Sequence, residues 1–201
     1  MPHKPITVDN NRREMLLYLL RHGESEANVG GFINDDPTRQ VLLTTNGRAQ
    51  AATAAQALSS ISFSHAYSSQ FPRARQTAEI ILAGREMQLR IDARLNERRS
   101  GLDGQAVEVF NGLVRPDPVR IKPANGESFL EQMQRVGDFL VEIERRHPDG
   151  IVLAVSHENP IQAAAALAGR DVQAAACGSL ANCEWLRLEW PLQPPTSCAG
   201  G

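Results

Sequence analysis

Met15-Leu16-Leu17-Tyr18-Leu19-Leu20-Arg21-His22-Gly23-Glu24-Ser25 opens as a continuous apolar run of strand length and breaks at a glycine, with an arginine and a histidine at the break. Such a run predicts a parallel-sheet strand covered on both faces. Ligands of open α/β sheets bind at the carboxyl ends of these strands, so Arg21 and His22 are site candidates by position alone. A second stretch repeats the pattern: Ile151-Val152-Leu153-Ala154-Val155 follows the breaker Pro148-Asp149-Gly150 and ends in Ser156-His157-Glu158-Asn159-Pro160. A lone histidine reads more readily as a hydrogen-bonded structural residue. Two of them at the mouths of two buried strands, one beside an arginine, favour a site.

Working outward, residues 23–43 read as a long polar loop, of the kind that carries function or disorder. Thr44-Thr45-Asn46 offers caps for an alanine-rich helix from Gly47 to Leu58. Residues 65–68 read as a short strand, and Pro72 sits in the first turn of a helix from about Arg73 to Leu82. Residues 88–91 read as another short strand. Phe129, Met133, Val136, Leu140 and Ile143 recur at spacings of three and four and mark the core face of a helix over 127–146. A second alanine-rich helix over 160–168 and a last strand over 183–188 complete the pattern. The alternation predicts a three-layer α/β/α sandwich with a mostly parallel central sheet. The irregular segment 98–125 reads as a short cap insertion over the sheet's carboxyl edge. One domain over 1–190 is expected, followed by a loose tail over 191–201 rich in Pro and Gly.

Composition narrows the partners. With 201 residues the chain is long enough for a core that needs neither disulfides nor metal. A net charge of −2 argues against nonspecific binding to nucleic acid or to an acidic membrane. The cysteines, Cys177, Cys183 and Cys198, are odd in number and lack C-x-x-C spacing, so neither a disulfide framework nor a zinc ribbon follows. Residues 1–14 hold no apolar signal core, and no run reaches the ~18 apolar residues needed to span a bilayer. A cytoplasmic protein is the expectation; oligomeric state has no readable signal.

Arg21, His22, Arg73 and His157 are all expected near one sheet edge, and their common chemistry is a phosphoryl group. The arginine fork matches two phosphate oxygens, and helix N-termini add backbone donors. Arg75, two residues along the same helix, points elsewhere. A histidine flanked by two arginines should have its pKa lowered, since a third positive charge is disfavoured, which leaves a ring nitrogen free to attack phosphorus and makes His22 the expected nucleophile. A backbone carbonyl on its other nitrogen would fix the useful tautomer. Glu97 leads as the proton donor to the departing alkoxide, against a plain reading as an exposed acid paired with Arg94, Arg98 or Arg99. Glu24 and Glu158 compete for the role, although a residue next to a catalytic histidine generally points away from its site. Adjacent arginines repel a cation, so neither metal nor cofactor is expected. No G-x-S-x-G elbow, G-x-x-x-x-G-K-[ST] loop or H-E-x-x-H pair is present.

Leu20-Arg21-His22-Gly23-Glu24-Ser25 resembles the Arg-His-Gly signature of the histidine phosphatase superfamily, the phosphoglycerate-mutase-like proteins. Residues 68–78, with Arg73, resemble its second arginine motif, Leu95-Asn96-Glu97-Arg98 its acid motif, Gly126-Glu127-Ser128 a helix entry, and Ser156-His157 its second histidine. The order agrees over roughly residues 15–190. The resemblance implies a transient phosphohistidine on His22, phosphate held by Arg21, Arg73 and His157, a proton from Glu97, and a phosphate-pocket asparagine at Asn28. The chain departs from the pattern where Glu158 and Asn159 follow the second histidine, a place where glycine is frequent. It also lacks an aromatic often found within Ser100-Gly101-Leu102-Asp103-Gly104. A mutase must keep water from the phosphohistidine, and the 28 residues of the segment 98–125 make a small cover. Hydrolysis of a small phosphomonoester is therefore the expectation, with a phosphoglycerate-type mutase as the alternative and a noncatalytic phosphate-recognition domain as a further one.

Overall fold

In the computed structural model the structure describes residues 14–191. Five strands form one sheet: β1 (Met15–Arg21), β2 (His65–Ser68), β3 (Leu89–Ile91), β4 (Ile151–Ser156) and β5 (Trp185–Trp190), in the order β3-β2-β4-β1-β5. All neighbours run parallel except β5, which is antiparallel to β1 at the edge. The helices are α1 (Glu26–Gly30), α2 (Thr45–Ala57), α3 (Pro72–Ile81), α4 (Val107–Val114), α5 (Phe129–Arg146), α6 (Glu158–Leu167) and α7 (Val172–Ala176). None of them is long and apolar enough to cross a membrane.

Side chains alternate along a strand, and β1 sorts its residues accordingly. Met15, Leu17 and Leu19, with Val152 and Ala154 of β4, pack against Phe129, Val136, Phe139, Leu140 and Ile143 of α5 and Ile161 of α6. Tyr18 and Leu20, with Leu153 and Val155, pack against Ala51 and Ala54 of α2 and Ala74 and Ala78 of α3. These two cores make the three-layer α/β/α sandwich. The alanines bring α2 close: a Cβ on Gly23 would lie 2.4 Å from the Gly47 carbonyl oxygen, and one on Gly47 would lie 1.9 Å from that of Glu24. Gly23 therefore serves close packing on α2 as well as leaving room beside His22.

Several elements differ from expectation for local reasons. The long loop contains α1, whose N-cap Ser25 forms a reciprocal box with Asn28. The cap segment contains α4, with Val107, Phe110 and Val114 on one face, and α7 starts at a capping Asp171. Helix α6 begins at Glu158, two residues before Pro160, because proline is tolerated in a first turn whose N–H groups lack partners anyway. The last strand starts at Trp185 rather than Cys183, since Cys183 has φ 60° and closes a turn. The expected tail lies outside the described residues, apart from Pro191.

Candidate active site

The register of β1 on β4 pairs Arg21 with Ser156, so the next residue of each chain segment, His22 and His157, emerges side by side. The His22 amide donates to the Ser156 carbonyl (3.0 Å), and the two imidazole centroids stand 4.9 Å apart. On the other side of β4, the Ser69 amide donates to the Val155 carbonyl (3.0 Å), and α3 starts directly beyond, which delivers Arg73 into the same space. Strand order alone thus gathers three segments far apart in the chain.

His22 is buried, with Nδ1 2.7 Å from the Gly23 carbonyl oxygen. A carbonyl only accepts, so Nδ1 carries the proton and Nε2 keeps its lone pair. That lone pair accepts from Arg73 Nε at 3.1 Å. Burial, then the nearby charge of Arg73 and more weakly of Arg21, holds the His22 pKa well below 6.5 despite the Gly23 bond. His157 is also held well below 6.5, by burial first and Arg73 next. Its Nε2 lies 2.8 Å from Ser69 Oγ, and its Nδ1 lies 3.4 Å from Arg73 Nη2.

Arg73 is buried, its guanidinium carbon 4.4 Å from the Phe71 ring centroid, and Nη1 donates to Asn34 Oδ1 at 2.6 Å. Burial pulls its pKa down to about 10, which leaves it cationic at neutral pH. Arg21 Nη1 donates to the Leu180 carbonyl and stands 3.3 Å from Glu158 Oε1, whereas its Nε is buried without a partner. A buried guanidinium N–H without an acceptor costs free energy that an incoming anion would relieve.

Glu97 lines the same cavity, and none of Arg94, Arg98 or Arg99 takes its carboxylate as an ion partner. Arg94 pairs with Asp92 and Glu142, Arg99 approaches Glu127, and Arg98 donates to three backbone carbonyls. Burial pushes the Glu97 pKa up; the Arg98 N–H and the Arg73 charge oppose this, and the Glu158 carboxylate reinforces it. Arg75 is exposed.

The two competing acids part ways. Glu24 turns from the site to accept from Thr44 Oγ1 (2.6 Å) and Asn46 Nδ2 (3.1 Å). Glu158 does not point away: as the first residue of α6 after the extended N-cap His157, it faces the cavity, paired with Arg21 and accepting from the Leu180 amide (2.8 Å). Asn28 lines the cavity, but its Oδ1 is occupied by Ser25, so the amide nitrogen is what it can offer. Sequence reasoning missed Asn34 and Ser69, which orient Arg73 and His157; their only signal was a polar residue in a segment already suspected. The cavity encloses about 610 Å³ between this cradle and the cap segment. Among the described residues no cluster of three or more His, Cys, Asp or Glu side chains is placed to hold a metal ion.

The buried histidines have a consequence for stability. All four described histidines, His22 and His157 here and the stacked pair His65 and His147 at the opposite sheet edge, are held below 6.5, in each case first by burial. Below pH 6.5 the unfolded chain takes up protons that the folded chain refuses, so stability present above that value is lost as the pH falls. Glu97 acts with the opposite sign, as one group against four. Thermal melts should show a midpoint that drops steadily from pH 7 to pH 5; an unchanged midpoint over that range would contradict the assignment.

A neutral imidazole with a free lone pair, flanked by two fixed guanidiniums and a second imidazole, is suited to receive a phosphoryl group and to stabilise charge spread over its oxygens. The chain also has recognisable relatives. Residues 17–196 match the family model of the histidine phosphatase superfamily (branch 1). The chain is similar to the adenosylcobalamin/alpha-ribazole phosphatase of Escherichia coli (strain K12), with 31% identity over 154 residues covering 72% of this chain and 74% of the relative. It is also similar to the 2,3-bisphosphoglycerate-dependent phosphoglycerate mutase of Thermoplasma acidophilum, with 33% identity over 156 residues, 73% of this chain and 72% of the relative. A solved structure, mycobacterial glucosyl-3-phosphoglycerate phosphatase in complex with VO3, shares the fold with a TM-score of 0.76 at 26% identity, over 87% of this chain and 91% of that one.

Proposed function

The chain belongs to branch 1 of the histidine phosphatase superfamily, and on that premise we propose that it hydrolyses small phosphomonoesters through a phosphohistidine on His22. The observation that carries the reading is the His22 ring itself, with its proton held on Nδ1 by the Gly23 carbonyl and its lone pair on the cradle side with Arg73. An arriving phosphate takes over the Arg73 N–H and releases Nε2. Nε2 then bonds to phosphorus as the ester P–O bond breaks; the electron pair goes to the departing oxygen, which takes a proton from Glu97. Arg21, Arg73 and His157 hold the three equatorial oxygens, and Asn28 adds an amide donor at the rim. A water molecule next gives its proton to Glu97 and bonds to phosphorus, the N–P bond breaks, and inorganic phosphate and free His22 are restored.

Similarity reaches both phosphatases and a mutase. Hydrolysis is favoured because the insertion over the cavity, residues 98–125, is short, a small cover with which to keep water from a phosphohistidine. Incubation of purified protein with a phosphomonoester should release inorganic phosphate. Intact mass after a rapid acid-free quench should show one added phosphoryl group, lost in the His22→Ala variant. Activity should be unchanged by a chelator, since every role above is filled by a side chain. A phosphate moved to another position of the substrate with almost none released would favour the mutase. Chelator-sensitive activity restored by a divalent ion would overturn the metal-free chemistry.

A further inference from the structure

The cavity is chemically two-sided. Its floor is the charged cradle, whereas much of its cap side is apolar: Phe32 and Ile33 from the loop after α1, Val107, Phe110 and Val114 along one face of α4, and Pro118, with Ser100, Asn111 and Arg115 as the polar residues beside them. Backbone bonds from Val107 to Gly31 (3.1 Å) and from Ile33 to Gln105 (2.8 Å) stitch this wall together. Phe110 is backed by a fixed cation. The Arg98 guanidinium carbon lies 5.2 Å from its ring centroid, and Arg98 is itself tied to the carbonyls of Glu127 (3.1 Å), Pro118 (3.2 Å) and Ile121 (3.0 Å). A ring packed this way presents its remaining surface to the cavity, half-buried where it lines it.

The charges above the cradle are already engaged. Asp35 Oδ2 accepts from the Ser100 amide (3.0 Å), Ser100 Oγ (2.8 Å) and the Gly101 amide (2.8 Å), Glu158 is bound to Arg21 and Leu180, and Arg98 is bound as above. Arg115, exposed at the end of α4, is the one cap cation on the cavity without a side-chain partner among the described residues. A second phosphate or a carboxylate on the substrate would therefore meet apolar wall and the carboxylates Asp35, Glu97 and Glu158, with one solvated arginine to receive it. A flat apolar ring would displace water from the wall and stack on Phe110, at no cost in unpaired charge.

We infer that the substrate's alcohol carries an uncharged aromatic or heteroaromatic ring, seated on Phe110 and the α4 face, with the phosphoryl group as its one anionic group near the site. This rests on the phosphatase reading of the same cradle. A cavity of about 610 Å³ is large enough for a phosphoryl group and such a body.

The test uses alkyl esters, so that leaving-group acidity does not vary with the ring. kcat/KM for 2-phenylethyl phosphate should exceed that for ethyl phosphate and for 3-phosphoglycerate by about 10- to 100-fold, the return expected from burying and stacking one ring. In Phe110→Ala the ratio of phenylethyl to ethyl ester should narrow about tenfold, with Phe110→Leu intermediate and both variants checked for folding by their melts. Calorimetric binding of 2-phenylethylphosphonate against ethylphosphonate reads the same wall with no turnover. Preference for 3-phosphoglycerate, or equal affinity for the two phosphonates, overturns the inference while hydrolysis stands. Tighter binding of the phenylethyl compound with no phosphate released from any ester overturns the phosphatase reading and leaves the ring-binding wall in place.

Discussion

Replacement of His22 by alanine is expected to lower phosphate release by at least about 10⁴-fold, because loss of a covalent nucleophile removes the reaction path and not merely one contact. No other side chain in the cradle combines a neutral imidazole with a ring proton held by a backbone carbonyl. His157 has one ring nitrogen on Ser69 and the other against Arg73, and Glu97 is turned to the Arg98 amide. The fold should survive, since the His22 side chain bonds only to Gly23 and Arg73 and lies beyond the end of β1, outside both apolar cores. Phosphate affinity should also survive in part, because Arg21, Arg73 and His157 remain. The decisive pair of measurements is steady-state phosphate release and binding of a nonhydrolysable phosphonate. Turnover within tenfold of the parent enzyme, in a folded variant that still binds the phosphonate, would falsify the covalent mechanism.

What could be read from the chain alone follows the range of the interactions involved. Met15–Leu20 and Ile151–Val155 are apolar throughout because both faces of each strand are buried, and that is a property of consecutive residues. The core stripe of α5 is likewise local, and so is its Ser128–Glu131 capping box. The meeting of His22 with His157 was inferable from strand-end position, since a parallel sheet aligns its carboxyl ends whatever lies between. The direction of Glu158 was not: it depends on the extended N-cap at His157 turning straight into α6, whereas the expected helix began two residues later. Asn34 and Ser69 escaped notice because their partners, Arg73 and His157, are distant in sequence, and no periodicity marks a polar side chain that serves another. Helix α4 escaped because Gly112 and the irregular prolines around it obscure a face only three apolar residues long. Even the reason for Gly23 was partly hidden, as its close approach to Gly47 depends on how α2 docks.

Glu97→Gln should separate the two halves of the proposed reaction by their dependence on the leaving group. Glutamine keeps the size of the side chain and cannot donate a carboxyl proton, so a poor leaving group such as an alkoxide must depart unprotonated. The rate with an alkyl phosphate should fall by about 10²- to 10⁴-fold, the range of general acid catalysis. A p-nitrophenyl ester, whose departing oxygen needs no proton, should lose far less in the phosphorylation step. The pH profile carries a second signature. Glu97 must be protonated for the first step, and its pKa is raised by burial and by the Glu158 carboxylate, so the parent enzyme should lose activity as pH rises through that elevated value. In Glu97→Gln this limb should vanish for the alkyl ester. In Glu158→Gln it should move to lower pH, because removing a neighbouring negative charge makes the Glu97 proton easier to lose. Equal losses for the alkyl and p-nitrophenyl esters in Glu97→Gln, with the alkaline limb intact, would remove Glu97 from the acid role. Glu158, the other carboxylate that faces the cavity, would then be the group to examine.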